Sequence, residues 1–232
     1  MSEKFSRTIN LIGQDSFKKL ESANILIVGL GGVGGYVLEG LVRAGIQNFT
    51  LIDGDTIATS NLNRQIISSV KNVGNDKVKA AKERALSINE NANIIAKKEF
   101  LTPEKVAYMD FSKFDFVIDA IDNTPAKLAI IEKSINENIK IISSMGTGNK
   151  LHPELLKISD ISKTEVCPLA KVIRQNLRKK RINHLPVLFS TENPVTTGTL
   201  ENGKHVPASI STVPAVAGLM IANYVILKII GK

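Results

Sequence analysis

The sequence predicts an α/β fold: a doubly wound, mostly parallel, Rossmann-like sheet, followed by a C-terminal elaboration that ends in a helix. Three observations predict it. Strand and helix patterns alternate from residue 24 to residue 148. The runs at 114–119 and 140–144 are largely apolar, which is typical of parallel strands that are buried on both faces. The strand at 24–28 leads directly into the glycine-rich segment GLGGVG, residues 29–34, and a helix pattern follows.

The individual elements follow from apolar periodicity and from capping residues. The predicted elements of the first part are a helix at 8–21, a strand at 24–28, a helix at 32–44, a strand at 48–52, a polar segment at 56–63, a helix at 75–89, strands at 93–97 and 114–119, a helix at 123–137 and a strand at 140–144. A further helix is expected to start at Thr102-Pro103, because threonine is a good N-cap and proline suits the first helical position. Ligands of such sheets bind beyond the carboxyl ends of the strands, so we expect functional residues there.

The pattern changes after Gly148. The predicted elements of this second part are a strand at 155–158, a basic helix at about 167–180, a strand at 187–190, a Thr/Gly/Pro-rich loop at 191–207 that orders with substrate, and a helix at 214–230. No linker separates the two parts. We therefore predict a single domain, 1–232, with an ATP-binding Rossmann-like core at 1–148 and a substrate-binding and dimerisation elaboration at 149–232.

Residues 206–227 carry no charge, and their length reaches the lower bound for a membrane span. Hydroxyl residues, two prolines and Gly218 dilute the apolar character of this segment. We predict a helix that packs against the sheet or against a second subunit, and no membrane association.

Composition limits the classes of protein that remain. An apolar content of 43% fits a globular protein, and residues 1–24 lack the apolar segment of a signal peptide. The single cysteine, Cys167, rules out an internal disulfide framework and a four-cysteine zinc site, and it suits a reducing compartment. We predict a cytoplasmic protein. The net charge of +8 fits either ordinary solubility charge or an anionic partner such as a nucleic acid.

The glycine-rich segment indicates a nucleotide site. Its glycines allow a sharp turn and a close approach to phosphate, and the following helix offers free N–H groups at its positive end. Asp53, at the end of the next strand, lies about 20 residues beyond the last glycine, which suits an acid that binds ribose hydroxyls. This segment alone is compatible with NAD or with another nucleotide.

The residues beyond Asp53 favour a triphosphate. Arg64 and Lys77 supply the positive charge that phosphate oxygens require. Asp122, at a strand end, is a suitable ligand for Mg²⁺, which prefers carboxylate, water and phosphate oxygens. Asp119 is interpreted as a strand-end residue that faces the site or as an anchor for the loop, and it ranks below Asp122 as a metal ligand.

These motifs, in the order GLGGVG, DGD, NLNRQ, a helical lysine and DAIDN, resemble the ThiF/MoeB/HesA superfamily of ubiquitin-activating-enzyme-like proteins. The resemblance covers roughly residues 4–148 and implies use of ATP and Mg²⁺ for adenylation of a carboxylate. It implies a phosphate loop at Gly29, Gly31, Gly32 and Gly34, a ribose contact at Asp53, nucleotide contacts at Asp55, Asn61, Arg64, Gln65, Lys77 and Asn123, and a metal ligand at Asp122. It further implies a homodimer in which Arg7 reaches the partner subunit's site. Arg64, Lys77, Asp122 and Arg7 are the implied catalytic residues.

The segments DISKT, CPLA, VLFSTE and STVP, all after residue 159, resemble the tRNA threonylcarbamoyladenosine dehydratase branch of that superfamily. This resemblance implies activation of a tRNA-borne carboxylate with ATP, followed by ring closure. The alternative is an adenylyltransferase for a sulfur-carrier protein that ends in Gly-Gly, with or without a sulfur-transfer partner. The single cysteine weighs against that alternative without excluding it. A redox NAD protein and a non-catalytic nucleotide-binding regulator are disfavoured by Arg64, Lys77 and Asp122 together.

The predicted basic helix is the candidate nucleic-acid surface. Six basic residues occur within eleven positions without an acid: Lys171, Arg174, Arg178, Lys179, Lys180 and Arg181. On a helix, residues 171, 174, 178 and 181 share a face, and such a stripe suits a phosphodiester backbone. A solvated helix face is the simpler interpretation, and the resemblance favours tRNA contact. Cys167, just before this helix, is interpreted as a structural thiol rather than a sulfur relay.

Overall fold

A computed structural model describes residues 3–195, 200–201, 204–205 and 207–232. Its helices are α1 (Ser6–Ile12), α2 (Gln14–Ser22), α3 (Gly34–Ala44), α4 (Lys77–Ile88), α5 (Pro103–Tyr108), α6 (Thr124–Asn136), α7 (Pro168–Lys179) and α8 (Thr212–Ile230). Its strands are β1 (Asn24–Val28), β2 (Asn48–Asp53), β3 (Asn93–Lys98), β4 (Phe116–Asp119), β5 (Lys140–Ser144), β6 (Leu156–Asp160), β7 (Pro186–Ser190), β8 (Leu200–Glu201) and β9 (Lys204–His205).

Seven strands form one sheet in the order β3-β2-β1-β4-β5-β7-β6. All neighbouring pairs are parallel except β6 and β7, which are antiparallel. The predicted fold class, a mostly parallel sheet that ends in a C-terminal helix, is confirmed. Chain connections run outward in one direction from β1 and in the other from β4. The crevice between the carboxyl ends of these two strands is where such sheets bind ligands.

The alternation of side chains along β1 explains why its sequence is apolar throughout. Ile25 and Ile27 point to one face, where they pack in a core with residues of α3, α4 and α8. Leu26 and Val28 point to the other face and pack with residues of α6 and α7. Because helices cover both faces of the sheet, no position of this strand except its first is available for polar residues.

The helix predicted at 8–21 is two helices in the structure. Gly13 separates α1 from α2 with a φ of +85°, a backbone conformation that favours glycine. The amide of Gly13 donates to the carbonyl of Ile9 and closes the last turn of α1. The prediction of one helix was therefore wrong at this glycine, whose conformation ends a helix despite continuous amphipathic periodicity.

The apolar helix α8 packs against α3 through small residues. A Cβ atom on Gly218 would lie 2.5 Å from the carbonyl oxygen of Val33, and one on Gly40 would lie 2.7 Å from the Cβ of Ala222. Among the described helices, α8 is the one that is long and apolar enough to cross a membrane. It is partly buried inside the protein. The expected packing of this segment against the body of the protein is therefore observed, with a start at Thr212 rather than at residue 214.

The loop predicted at 191–207 contains a short antiparallel hairpin of β8 and β9. The sequence predicted a loop here but not this hairpin, whose two-residue strands are too short to give an alternating pattern. Residues 196–199, 202–203 and 206 of the same loop, and the expectation that it orders with substrate, lie outside the described residues.

Candidate functional site

A cavity of about 900 Å³ opens at the carboxyl ends of β1, β2, β4 and β5, within the size range of ligand pockets. Among the predicted nucleotide-binding residues, the following line it: Gly29, Gly31, Gly32, Asp53, Asp55, Asn61, Arg64, Gln65, Lys77, Asp122 and Asn123. Gly34 does not line the cavity and lies behind the loop. The fold therefore brings together residues that are distant in the sequence, several of which lie at or just beyond strand ends.

The glycine-rich loop is held so close to its neighbours that side chains do not fit. Gly29 has a φ of +89°, and a Cβ on it would lie 2.7 Å from the carbonyl oxygen of Ala120. A Cβ on Gly34 would lie 1.8 Å from the carbonyl oxygen of Gly29. A Cβ on Gly31 would meet nothing closer than 3.9 Å, so this glycine faces open space, where a phosphate can approach the backbone. Val33, the N-cap residue of α3, also lines the cavity, so the positive end of this helix lies beside the same space.

Asp53 joins the end of β2 to the glycine-rich loop. Its Oδ2 accepts a hydrogen bond of 2.7 Å from the amide of Leu30, and its Oδ1 accepts one of 2.8 Å from the amide of Asp55. A carboxylate has about four acceptor positions, so two remain for donors on a ligand. The residue therefore shapes the loop as well as offering the hydroxyl-binding group that its position in the motif predicts.

Lys77 and Asp55 form an ion pair at the edge of the cavity, with 2.7 Å between Nζ and Oδ2. The Lys77 side chain is only 7% exposed, whereas that of Asp55 is 52% exposed. The lysine is thus fixed by the first turn of α4, while its carboxylate partner remains in contact with water. A phosphate that enters the cavity is able to replace or share this partner.

Arg64 lies beside the glycine-rich loop, where a Cβ on Gly32 would be 3.5 Å from its Cγ. Its guanidinium donates to the carbonyl oxygen of Ser60 and to the side-chain oxygen of Asn63, both at 2.9 Å. Asn61 accepts from the amide of Ala58 through Oδ1 and so stabilises the short 3₁₀ helix Thr59–Asn61, and Arg64 lies in the turn that follows. Gln65 is buried, and its Oε1 has no hydrogen-bond partner within the described part of the chain. An unsatisfied buried amide that lines a cavity is a position where a ligand or water completes the bonding.

Asp122 and Asn123 follow β4. Asp122 is exposed and lines the cavity. The side chain of Asn123 caps α6 by accepting from the amide of Ala126 at 3.0 Å, so its oxygen is already engaged. Within the described residues, no group of three or more metal-ligating side chains occurs. One carboxylate fits Mg²⁺ only when phosphate and water oxygens complete its octahedron, as is usual for nucleotide-bound Mg²⁺.

Phe100 was missed by the sequence reasoning. It follows β3, is 66% exposed, and lines the cavity. Its ring lies against Gly54, where a Cβ would be 2.4 Å from the ring carbon Cγ. A flat, exposed aromatic face beside Asp53 is suited to stacking on a purine base. The glycine between the two acids of the DGD motif was the available signal, because a side chain there would displace this ring.

The wall opposite the glycine-rich loop combines the end of β5 with residues of the C-terminal part. Residues 144–148 and 207–209 line it together with Leu169, the second residue of α7. Asn149 joins the two segments: its amide donates to the carbonyl of Ala208 at 2.7 Å, and its Oδ1 accepts from the amide of Ala208 at 2.6 Å. The side chain of Asn63 donates to the carbonyl of Ser209 at 3.0 Å. These residues were not predicted, because only tertiary packing brings them to the cavity.

Buried polar contacts fix the chain that leaves this wall. The Nζ of Lys150 donates to the carbonyl of Glu192 at 2.8 Å, and the carboxylate of Glu192 accepts from the amides of Leu151 and His152. Burial lowers the pKa of Lys150 because it disfavours the ammonium, and the nearby Cys167 and Glu192 oppose this only in part. Burial by itself would raise the pKa of Glu192, but the two backbone hydrogen bonds outweigh it and lower the pKa.

The predicted basic helix begins at the mouth of the cavity, at Pro168, and ends at Lys179. Four of its six predicted cations, Lys171, Arg178, Lys179 and Arg181, are exposed and make no ion pair within the described residues. Lys180 is paired with Glu132 at 2.6 Å. Arg174 is half-buried and donates to the carbonyl and hydroxyl of Thr164, so it holds the turn before the helix rather than facing solvent.

Arg7 and Cys167 lie outside the cavity lining. Arg7 is exposed on α1, so it is available to another molecule but not to the nucleotide site of its own chain. Cys167 is buried at the N-cap of α7 and makes no side-chain capping bond. Its burial fits the structural interpretation.

Comparison with known proteins identifies the class. A model of the ThiF family matches residues 5–232, and the chain belongs to this family. A protein named tRNA threonylcarbamoyladenosine dehydratase from Bacillus subtilis is 34% identical to it over 99% of this chain and 96% of that protein. The crystal structure of E. coli tRNA N6-threonylcarbamoyladenosine dehydratase, TcdA, in complex with ATP superposes with a TM-score of 0.91 at 30% identity, over 99% of this chain and 94% of that one.

The likeness to a ubiquitin-like activation system is less extensive. SUMO-activating enzyme subunit 2 from Dictyostelium discoideum is 36% identical over 64% of this chain and 22% of its own length. The similarity to the tRNA threonylcarbamoyladenosine dehydratases thus includes both the nucleotide core and the C-terminal elaboration, whereas this relative matches a smaller share of the chain.

Proposed function

We propose that this protein is an ATP-dependent, AMP-forming enzyme that adenylates the carboxylate of threonylcarbamoyladenosine in tRNA and cyclises it with loss of water. The observation that carries the proposal is the composition of the cavity. One wall is a glycine-rich nucleotide loop with two cations, and another combines the end of β5 with residues of the C-terminal part. The chain, including this C-terminal part, matches two such dehydratases over 99% of its length. The ATP complex of the E. coli relative supports the choice of nucleotide.

The cavity suggests how ATP lies in it. The triphosphate follows the glycine-rich loop and the N-terminus of α3, with Lys77 and Arg64 on either side. The ribose reaches the remaining acceptor positions of Asp53, and the adenine stacks on Phe100. The α-phosphate then faces the wall formed by residues 144–148, where the substrate carboxylate enters.

The reaction has two steps. A carboxylate oxygen attacks the α-phosphorus of ATP, the bond to pyrophosphate breaks, and an acyl adenylate forms. A nucleophile of the same modified side chain then attacks the acyl carbon, AMP leaves, and one proton is released. Lys77 and Arg64 stabilise the charge that develops on the phosphate oxygens, and the intramolecular geometry supplies much of the rate of ring closure. No residue needs to form a covalent intermediate, which agrees with the burial of Cys167.

Magnesium is the second cofactor of the proposal. When bound with ATP, Mg²⁺ neutralises phosphate charge and orients the leaving pyrophosphate. Asp122 is the residue that would hold it, because its exposed carboxylate lines the cavity next to the phosphate loop. Asn123 contributes by capping α6 and thereby fixing the backbone at Asp122.

The exposed cations of α7 are proposed to bind the tRNA backbone. Leu169 lines the cavity and Lys171 lies half a turn further along, so the stripe leads away from the site at which the modified base would react. The double substitution Lys171→Ala/Arg178→Ala is expected to lower the slope of log affinity for tRNA against log salt by about 2, because two phosphate contacts are lost. The control is Lys140→Ala, which removes an exposed lysine at the amino end of β5. An unchanged slope in the double variant would remove this surface from the proposal.

We also propose a homodimer in which Arg7 acts in the partner subunit's site. The exposed Leu219 and Leu227 on α8, together with Leu11 on α1, supply apolar surface for such an interface. Mixing Arg7→Ala with Lys77→Ala subunits should restore about a quarter of wild-type activity if Arg7 acts across a twofold axis, because half of the dimers then contain one complete site. Activity that stays at the level of the two separate variants would place Arg7 outside the reaction.

One experiment tests the reaction. The protein is incubated with ATP and Mg²⁺ and with either threonylcarbamoyladenosine-containing tRNA or a carrier protein that ends in Gly-Gly. Pyrophosphate release with the tRNA, and a nucleoside lighter by one water, is the expected result. Pyrophosphate release with the carrier alone would instead support the sulfur-carrier adenylyltransferase, with its sulfur-transfer partner. A cytoplasmic location follows from the proposed tRNA substrate.

A further inference from the structure

A fully buried ion pair, Asp119–Lys127, flanks the loop that carries Asp122, the proposed metal ligand. Asp119, the last residue of β4, and Lys127, in the second turn of α6, both have no exposed side-chain surface, and 2.7 Å separates their charged atoms. Ser143 on β5 donates its hydroxyl to the same Asp119 oxygen at 2.5 Å. The Lys127 ammonium also donates to the carbonyl of Ser144 at 3.0 Å. Neither Asp119 nor Lys127 lines the cavity, so neither contacts a ligand directly.

The partners of this network lie on both sides of the loop that carries Asp122. The second oxygen of Asp119 accepts a bond of 3.3 Å from the amide of Ile121. The amide of Lys127 donates to the carbonyl of Asn123 at 2.9 Å. The loop at 120–123 is therefore fixed at one end by the carboxylate and at the other by the helix that carries the lysine.

Stability alone is a weak reason for such a pair. Removing two charges from water is costly, and well-packed apolar residues of similar size are often as stable or more stable. A buried pair gives directionality instead, because its oxygen and hydrogen atoms must meet particular partners. Here the partners are the ends of β4 and β5, which form two walls of the cavity.

We propose that Asp119, Lys127 and Ser143 are positioning residues that hold the Asp122 loop and the end of β5 at the separation that the metal–nucleotide complex requires. The inference rests on the proposed metal role of Asp122. It gives the Asp119 carboxylate a different task from that of Asp122, although the two acids lie three residues apart in the same DAID segment.

The test uses ATP binding by the intact protein, measured by calorimetry over a range of Mg²⁺ concentrations and without tRNA. In the double variant Asp119→Asn/Lys127→Met, the Mg²⁺ concentration for half-maximal enhancement of ATP binding should rise about tenfold, as is usual when the support of a metal ligand is lost. Metal-free ATP affinity should stay within about twofold, since the glycine-rich loop and cations are untouched. The control is Glu137→Gln/Lys133→Met, which removes a partly exposed ion pair from the end of the same helix.

Two further variants make the result decisive. Asp122→Ala should remove the Mg²⁺ enhancement altogether, and an unchanged enhancement there would overturn the metal assignment and the positioning proposal together. If Asp122→Ala behaves as expected but the double variant keeps the wild-type Mg²⁺ dependence, only the positioning proposal is overturned. Should the double variant fail to fold, Ser143→Ala retains the ion pair and is expected to shift the Mg²⁺ dependence in the same direction by a smaller factor. A wild-type dependence in that variant would likewise overturn the proposal.

Discussion

The ends of β2 and β4 each carry a lysine–carboxylate pair with the same 2.7 Å separation, yet the two regions differ in access to water. At β2, the Asp55 partner of Lys77 is half-exposed at the cavity. At β4, both Asp119 and Lys127 are sealed from solvent. Burial of the carboxylate, rather than the distance between its oxygen and the ammonium, therefore distinguishes a cation that can receive a ligand from one that supports the structure.

Breaking the buried Asp119–Lys127 pair should give the largest change in stability. Asp119→Asn leaves the ammonium of Lys127 buried without its counter-charge, which we expect to lower the free energy of unfolding by about 3–5 kcal/mol. Urea denaturation followed by circular dichroism measures it. A loss of less than about 1 kcal/mol, which is typical of an exposed ion pair, would show that burial does not distinguish the two pairs.

Substitution in the half-exposed Lys77–Asp55 pair should give the larger change in the rate of catalysis. Lys77→Ala removes a fixed positive charge from the proposed phosphate site, and we expect pyrophosphate release to fall by about 10²–10³-fold. Lys79→Ala, an exposed lysine on the same helix, is the control and should retain wild-type rates. Equal rates in the two variants would remove Lys77 from the phosphate site.

Glu39, a second buried carboxylate that lies away from the cavity, allows the effect of burial to be tested by pH. Burial opposes ionisation of Glu39, but hydrogen bonds from Arg84 and Arg43 outweigh it, so its pKa lies below the ordinary 4.5. Its stabilisation is therefore complete above the unfolded-state pKa and is lost as the pH falls through the folded-state pKa. Glu39→Gln should cost about 1.5–3 kcal/mol at pH 7, and the difference from wild type should shrink below pH 4.5. A difference that is constant with pH would contradict this.

The smallest effect is expected from Asp55→Asn. Because Asp55 is half-exposed, loss of its charge should change the free energy of unfolding by less than about 1 kcal/mol. ATP affinity should rise slightly, since a negative group beside the phosphate-binding lysine is removed. Fluorescence titration with ATP and urea denaturation measure the two effects. Weaker ATP binding in this variant would indicate that Asp55 contacts the nucleotide.

The cavity residues that follow strand ends were predictable because their positions depend on local sequence. Gly29, Asp53 and Asp122 are recognisable from the strand end that each follows, and parallel strands place their carboxyl ends at one edge of the sheet. Arg64 and Lys77 required the order of the motifs, since neither lies at the end of a strand.

The remaining features depend on contacts between distant segments. Phe100 reaches the cavity because β3 ends beside β2 and Gly54 leaves room for its ring, which no periodicity in the sequence reveals. The wall at 207–209 depends on hydrogen bonds to Asn149, some sixty positions earlier. Arg174 has the spacing of its exposed neighbours, and only its contact with Thr164 shows that it faces the protein.

The close packing of α8 on α3 has a consequence for biosynthesis. The two helices touch through Gly40, Gly218 and Ala222, so the outer face of α3 is complete only after residues 212–230 have been made. Because a ribosome produces the chain from its N-terminus, the apolar surface of α3 stays uncovered for almost the whole of translation. Nascent chains that stop before α8 should therefore be captured by chaperones and retain little affinity for ATP, however intact their glycine-rich loop.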